Sequence, residues 1–285
     1  MKVAIISDIH IDINEKSKVD QYIKDWYKEL VTAKEAEALI IAGDISEDVQ
    51  KTIAYVKELE EAANAPVYYV PGNHDMWNRD KKYESNDAIY DLFLQDPHCL
   101  SGKRVELGNH VVIGDIGWYD YSYANTEKFT KEEFDSMTTL GRTWQDKYFN
   151  TWTDDNQAKS DQFNATFKTA LDEAAAQGKN ICFVTHMINH DAFSVPDGTN
   201  KFCFFNAYLG NRTLQQILTD NAYVDYSISG HIHFRKDTTD AGKKWLCRCL
   251  GYDSEWPLFH PEEEFRDKDN DVLWHIKDAA EIIEL

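Results

Sequence analysis

Apolar residues fall in short blocks along the chain, and the spacing inside each block assigns its element. Val3-Ala4-Ile5-Ile6 is a continuous run and reads as a strand. Val19, Tyr22, Ile23, Trp26, Tyr27, Leu30 and Val31 follow at spacings of three and four, an amphipathic helix. "ALIIAGD" is continuous again and closes on Gly43-Asp44, a buried parallel strand and its loop. Val49, Ile53, Val56 and Leu59 mark a second helix, and Val67 to Val70 a third strand. This β-α-β-α-β order predicts a parallel sheet. Asn86 to Leu94 reads as a short helix. Arg104 to Leu107 and His110 to Asp115 read as two strands turning at Gly108-Asn109. Phe163, Phe167, Ala170, Leu171 and Ala174 restore a helical period that Gly178 ends. "NICFVTH" is a strand, Leu214, Ile217 and Leu218 a helix, and "YVDYSISGHIH" another strand. "WLCRCLGY" and "DVLWHI" alternate and read as strands completing a second sheet.

Residues 118–160 break the pattern. They are polar, acidic and aromatic with weak periodicity, and read as an insert or cap within one domain spanning 1–285. Its rings, among them Trp118, Tyr119, Tyr121, Phe134 and Trp144, are read as packing groups or as a contact between copies of the chain. Aromatic rings fill cores more often than they stack on ligands.

Composition narrows the function. Hydrophobic residues make up 42% and charged residues 28% of 285 residues, ordinary for a globule with a sizeable core. No apolar run approaches the length of a membrane span. "MKVAIISDIH" has too short an apolar run for an export signal, so a cytoplasmic location is the expectation. Five cysteines without a CxxC pair argue against a disulfide framework. Cys182 reads as a core thiol. Cys247 and Cys249 face one side of a strand but lack further ligands for a metal. A net charge of −20 repels nucleic-acid backbone and anionic membrane, so duplex nucleic acid is disfavoured as a partner. An anionic substrate would need a strongly positive local centre.

The candidate chemistry stands at the ends of the strands. The first supplies Asp8-Ile9-His10, the second Gly43-Asp44, the third Gly72-Asn73-His74-Asp75, and two later strands His186 and Gly230-His231-Ile232-His233. In an extended segment i and i+2 face one way, so Asp8 with His10 and His231 with His233 are expected to converge. Mixed nitrogen and oxygen donors without thiolate suit Mn, Fe, Zn or Co, Mn and Fe foremost. The donors exceed what one ion takes, which suggests two ions sharing one carboxylate, with Asp44 the natural bridge. Two divalent ions with two aspartates and a shared hydroxide leave a local charge of about +1, the positive centre an anionic substrate would need.

The ordered series "SDIH", "AGD", "PGNHD", "THM" and "SGHIH" resembles the calcineurin-like metallophosphoesterase superfamily, over most of the chain. The resemblance implies an α/β fold, a four-layer α/β/β/α sandwich of two mixed sheets flanked by helices. It implies one ion on Asp8, His10, Asp44 and His233 and another on Asp44, Asn73, His186 and His231. His74 is then the catalytic histidine that binds no metal, stabilising or protonating the leaving oxygen, and Asp75 orients it. The implied reaction is hydrolysis of a small phosphate mono- or diester by a hydroxide shared between the ions. Arg79, Arg212 and Arg235 follow motif segments and are candidates for gripping phosphate oxygens. Ile11 stands where serine/threonine protein phosphatases carry glycine, and "GDISEDVQ" lacks their arginine, so the pattern is closer to bacterial phosphodiesterases and small-molecule phosphatases. A non-catalytic metal- or nucleotide-binding protein, or a scaffold on the same fold, is the alternative, and intact His74 and Asp75 speak against it. His98, His110, His260 and His275 read as structural or exposed, and His190 as a loop residue near the site.

Overall fold

Alternation within β1 (Lys2–Ile6) sends Val3 and Ile5 to one face of a sheet and Ala4 and Ile6 to the other, and both faces are buried. The computed structural model describes residues 1–196, 203–259 and 268–285. After β1 come α1 (Val19–Ala33), β2 (Ala38–Ala42), α2 (Val49–Ala63), β3 (Val67–Val70), α3 (Asn86–Gln95), β4 (Arg104–Leu107) and β5 (His110–Asp115). The middle of the chain forms α4 (Lys131–Ser136), a hairpin of β6 (Thr138–Thr139) and β7 (Arg142–Thr143), α5 (Asp146–Phe149) and the long α6 (Asn156–Ala176). The remainder is β8 (Asn180–Thr185), α7 (Arg212–Asp220), β9 (Val224–Ser229), β10 (Arg235–Asp240), β11 (Lys243–Arg248), α8 (Trp256–Phe259), α9 (Lys268–Ala279) and β12 (Glu281–Glu284).

Two mixed sheets result. One runs β12-β1-β2-β3, and the other β10-β11-β9-β8-β5-β4. Within the first, β1, β2 and β3 are parallel and β12 is antiparallel to β1. In the second, β5, β8, β9 and β11 are parallel, with antiparallel β4 and β10 at the edges. Val3, Ile5, Ile40 and Val70 meet Val112, Val184, Ile228 and Leu246 between the sheets. The opposite faces bury Leu39, Ile41 and Tyr69 under α1 and α2, and Phe183 under Phe167 of α6. The layers are therefore helix, sheet, sheet, helix. Each fully buried aliphatic side chain contributes about 1.5–3 kcal/mol.

One element departs from the sequence reading. "DVLWHI" lies in α9, not in a strand. Val272, Ile276 and Ala279 are its buried apolar positions, at i, i+4 and i+7, so a six-residue apolar run was half of a helical face rather than an alternating strand. Among the described residues no helix is long and apolar enough to cross a membrane.

Candidate metal centre

The donors leave the strand ends through left-handed turns, not extended chain. Asp8 (φ 54°), His10 (φ 43°), Asp44 (φ 53°), His231 (φ 76°) and His233 (φ 55°) all take positive φ. Such strain collects at functional sites and survives where the surroundings over-determine it. Here they do. Asp8 N–H donates to Gly43 O at 2.9 Å, His10 N–H to Asp44 O at 3.0 Å and Gly230 N–H to His186 O at 2.9 Å. His231 N–H donates to Asp8 Oδ1 at 3.0 Å. So the pairs 8/10 and 231/233 do not converge by strand alternation as expected; hydrogen bonds between loops of both sheets place them. Gly43 (φ 87°) makes room for this, because a Cβ there would lie 2.5 Å from His186 Nδ1.

The donor atoms form two groups able to hold an ion. Asp8, His10, Asp44 and His233 make one; Asp44, His186 and His231 make the other, with Asp44 common to both. Asn73 Oδ1 stands 3.1 Å from His186 Nε2, beside the second group. His10 Nε2 and His233 Nε2 face each other at 3.1 Å, and His186 Nε2 and His231 Nδ1 at 3.1 Å. Two pairs of ring nitrogens held this close are what a cation within each group would explain.

The far ring nitrogens agree with that fit. His186 Nδ1 is 2.9 Å from the Ala42 carbonyl, His231 Nε2 is 3.0 Å from the Tyr208 carbonyl and His233 Nδ1 is 2.7 Å from Glu255 Oε2. Each acceptor holds the proton on the outer nitrogen and leaves the inner one free as a ligand. Burial pushes the ionisation of His10 well down. Burial and then the neighbouring His186 push His231 down to about 3, so both rings are neutral. Burial works against charge on His186 too, but Asp44 outweighs it and pushes that ring up to about 10; an ion bound there would displace the proton. The residues present thus fit a pair of metal ions.

His74 lies at the edge of this cluster, its Nε2 3.9 Å from Asp44 Oδ2. Its ring stacks on Trp77 with centroids 3.6 Å apart. The expected contact with Asp75 is not formed. The Asp75 carboxylate instead accepts from Thr52 Oγ1 at 2.5 Å, Gly72 N–H at 2.7 Å, Ser46 N–H at 2.9 Å and Ile45 N–H at 3.1 Å. It braces the loops after β2 and β3 from beneath. The carboxylate facing His74 belongs to Glu47, whose Oε1 is 3.5 Å from His74 Nδ1. Asp48 caps α2 by accepting from Gln50 and Lys51 N–H, which fixes where the preceding Glu47 sits. Burial would raise the Glu47 carboxyl, but the neighbouring His74 ring and the hydrogen bond from Arg79 outweigh it and hold it below its ordinary range.

The insert reaches the same centre through Asp146. Its buried carboxylate accepts from Trp77 Nε1 at 2.7 Å, Trp144 Nε1 at 2.8 Å and Asn73 Nδ2 at 2.9 Å. The last bond orients the Asn73 amide so that its oxygen faces His186. Trp118, Tyr119, Tyr121 and Phe134 are buried, and Trp144 packs on Tyr208 and the His231 ring. Tyr148 and Leu140 are the insert's exposed large apolar side chains.

The three arginines separate. Arg79 lies at the mouth, with Nη2 2.6 Å from Glu47 Oε1 and its guanidinium over Trp77. Arg212 pairs with Asp191 at 2.8 Å and also bonds the Ser122 carbonyl. Arg235 pairs with Asp278 at 2.8 Å beside His275 of α9. Arg212 and Arg235 thus pair with carboxylates of other segments, whereas the partner of Arg79 is the carboxylate that faces His74. His190 lies 3.4 Å from Asp240 and packs on Trp245. His98 pairs with Glu60 and Asp96, His110 with Asp225, and His275 stacks on Trp256; His260 lies outside the described residues. Cys247 and Cys249 do share a face, with Sγ atoms 3.6 Å apart, both buried. Glu47, Asp146, Glu255 and Tyr252 were missed from sequence. Only Glu47, three residues beyond Asp44 in the same loop, carried a signal.

Known proteins share the family motifs and the fold. The profile of the calcineurin-like phosphoesterase family matches residues 1–235. An uncharacterized protein of Acanthamoeba polyphaga mimivirus is 22% identical over 273 residues, 90% of this chain and 93% of that protein. In fold, the chain is similar to the phosphopantetheinyl hydrolase of Mycobacterium tuberculosis, with a TM-score of 0.74 at 18% identity, covering 93% of this chain and 96% of that one. It is also similar to a dimetal phosphatase from Danio rerio, with a TM-score of 0.53 at 14% identity, covering 87% and 86%. With its motif series, its two sheets and its carboxylate–histidine cluster, the chain belongs to the calcineurin-like phosphoesterase family.

Proposed function

We propose that this protein is a dinuclear-metal-dependent hydrolase of a small phosphate mono- or diester. The observation that carries the reading is the paired donor cluster sharing Asp44, with His74 beside it and binding neither group. Asp8, His10, Asp44 and His233 would hold one ion, and Asp44, Asn73, His186 and His231 the other. Such ions supply Lewis acidity and a nucleophile at neutral pH. The chain's own groups do the rest. Asp146 keeps the Asn73 oxygen turned inward. Glu255, Ala42 O and Tyr208 O hold the tautomers of His233, His186 and His231. His74, backed by Glu47 and stacked on Trp77, donates to the leaving oxygen. Arg79 stands next to it, where it can meet a phosphate oxygen once it releases Glu47. The donor set suits Mn or Fe, and Zn or Co next. A cluster made positive by two ions would attract an anionic ester despite the net charge of −20. The name of the Mycobacterium neighbour, a phosphopantetheinyl hydrolase, makes phosphopantetheinyl compounds worth an early assay.

The test is hydrolysis of p-nitrophenyl phosphate and bis-p-nitrophenyl phosphate by metal-stripped protein reloaded with Mn²⁺, with His74→Ala and Asp44→Asn alongside. Turnover that needs metal and is lost in both variants is expected, and the preferred ester separates mono- from diesterase. Two bound ions with no turnover on any ester, Fe²⁺, Zn²⁺ and Co²⁺ included, would point to a binding protein instead.

A further inference from the structure

Tyr252 lies beyond the family match, on the turn after β11, and its ring packs against three histidines of the site. Centroid distances are 4.5 Å to His233, 4.7 Å to His10 and 6.5 Å to His74. The turn is pinned from several directions. Leu250 N–H donates to Ser7 O at 2.9 Å and Gly251 N–H to Asp8 O at 3.0 Å. Asn14 Nδ2 donates to Gly251 O at 3.0 Å, and Asp253 N–H to Asn14 Oδ1 at 2.8 Å. Glu255 Oε2 accepts from Tyr252 N–H at 3.0 Å and lies 2.7 Å from His233 Nδ1, so one carboxylate ties this turn to a proposed ligand. The ring is held while its hydroxyl makes no hydrogen bond among the described residues. That contrasts with the buried tyrosines Tyr27, Tyr55 and Tyr69, whose hydroxyls bond Pro66 O, Asp20 O and Asp96. A partly exposed donor, held rigidly and left open beside a phosphate-binding centre, is arranged for a ligand oxygen.

We propose that Tyr252 is a substrate-contacting residue, its phenol donating a hydrogen bond to a non-bridging oxygen of the phosphoryl group. This rests on the phosphoesterase reading above. A neutral donor adds a fixed dipole without another charge, and removing one such donor lowers rate by about ten- to a hundredfold where the site is partly open. The ring also shields His10 and His233, so the hydroxyl must be tested apart from the ring.

The experiment compares wild type, Tyr252→Phe and Tyr252→Leu, each loaded with Mn²⁺. Bound metal is counted, inorganic phosphate is titrated by calorimetry, and kcat and KM are measured on the better aryl ester. Tyr252→Phe is expected to keep two ions per chain, to bind phosphate about tenfold more weakly and to lose ten- to a hundredfold in kcat/KM. Equal phosphate affinity in wild type and Tyr252→Phe overturns the proposal, and loss of metal confined to Tyr252→Leu would then make the ring a packing group. If no ester is turned over, the hydrolase reading fails while the phosphate titration still decides Tyr252. A wild type that binds no phosphate overturns both.

Discussion

Glu47 Oε1 stands 3.5 Å from His74 Nδ1, whereas Asp75, His74's neighbour in sequence, sends its carboxylate to the loops beneath. A carboxylate beside the outer ring nitrogen helps to hold the imidazole in position for a leaving-group donor. Glu47→Gln is therefore expected to lower kcat by about ten- to a hundredfold, with metal content unchanged. Steady-state kinetics with a metal count on the reloaded protein checks this, and an unchanged kcat would remove Glu47 from the reaction.

Asp75→Asn should behave differently. The carboxylate meets Thr52 Oγ1 and the amides of Gly72, Ser46 and Ile45, all buried, and an asparagine amide would confront some of these donors with another donor. The expected loss is about 2–4 kcal/mol of folding stability. Chemical denaturation measures it. The effect on rate should follow the fraction folded.

Asp146 links the insert to Asn73, so its variant reports on the centre from a distance. Asp146→Asn keeps the shape but loses the charge that four side-chain N–H groups from Trp77, Trp144, Asn73 and Asn150 share. Affinity for the second ion is expected to fall about ten- to a hundredfold, with the first retained. Competition with a chelator, read as bound metal per chain, would show it.

Asp115 is a buried carboxylate that belongs to neither donor group. It accepts from Ser101 Oγ at 2.7 Å, Ile116 N–H at 2.7 Å and the Tyr90 hydroxyl. Burial pushes it up to about 6 despite those bonds. A carboxyl raised on folding binds more protons in the native than in the unfolded state between the two values. Its contribution is then largest in acid and is lost as pH rises from about 4 to 6. Two units correspond to about 3 kcal/mol. Asp115→Asn should therefore gain about that much relative to wild type between pH 4 and pH 7, measured by denaturant unfolding across that range.

Arg235 tests the separation of the arginines. Its guanidinium is held by Asp278 beside His275, so Arg235→Ala is expected to cost stability and leave KM unchanged, whereas Arg79→Ala at the mouth should raise KM several-fold. Steady-state kinetics on both variants separates them.

The order of strands and helices was legible because buried parallel strands read as continuous apolar runs and the helices between them keep a clean three-and-four spacing. Asp8, Asp44, Asn73, His186 and His231 could be picked out because each directly follows such a run. "DVLWHI" was misread because a short apolar run is compatible with either period, and the contacts of Val272 and Ile276 decide. The partners of the donors were not legible. Glu47 meets His74 across 27 residues, Asp146 meets Asn73 across 73, and Glu255 meets His233 across 22. The chain holds 50 acidic residues; Glu47 is marked only by its place three residues beyond Asp44, and nothing local marks Asp146 or Glu255. Residue types and hydrophobic period belong to the sequence itself, since they follow from each residue's own chemistry and its near neighbours. Which carboxylate faces which ring, and that Asp8 and His10 turn through left-handed backbone, is decided only when two sheets pack and bring distant loops together, because a side-chain hydrogen bond needs its partner within about 3 Å.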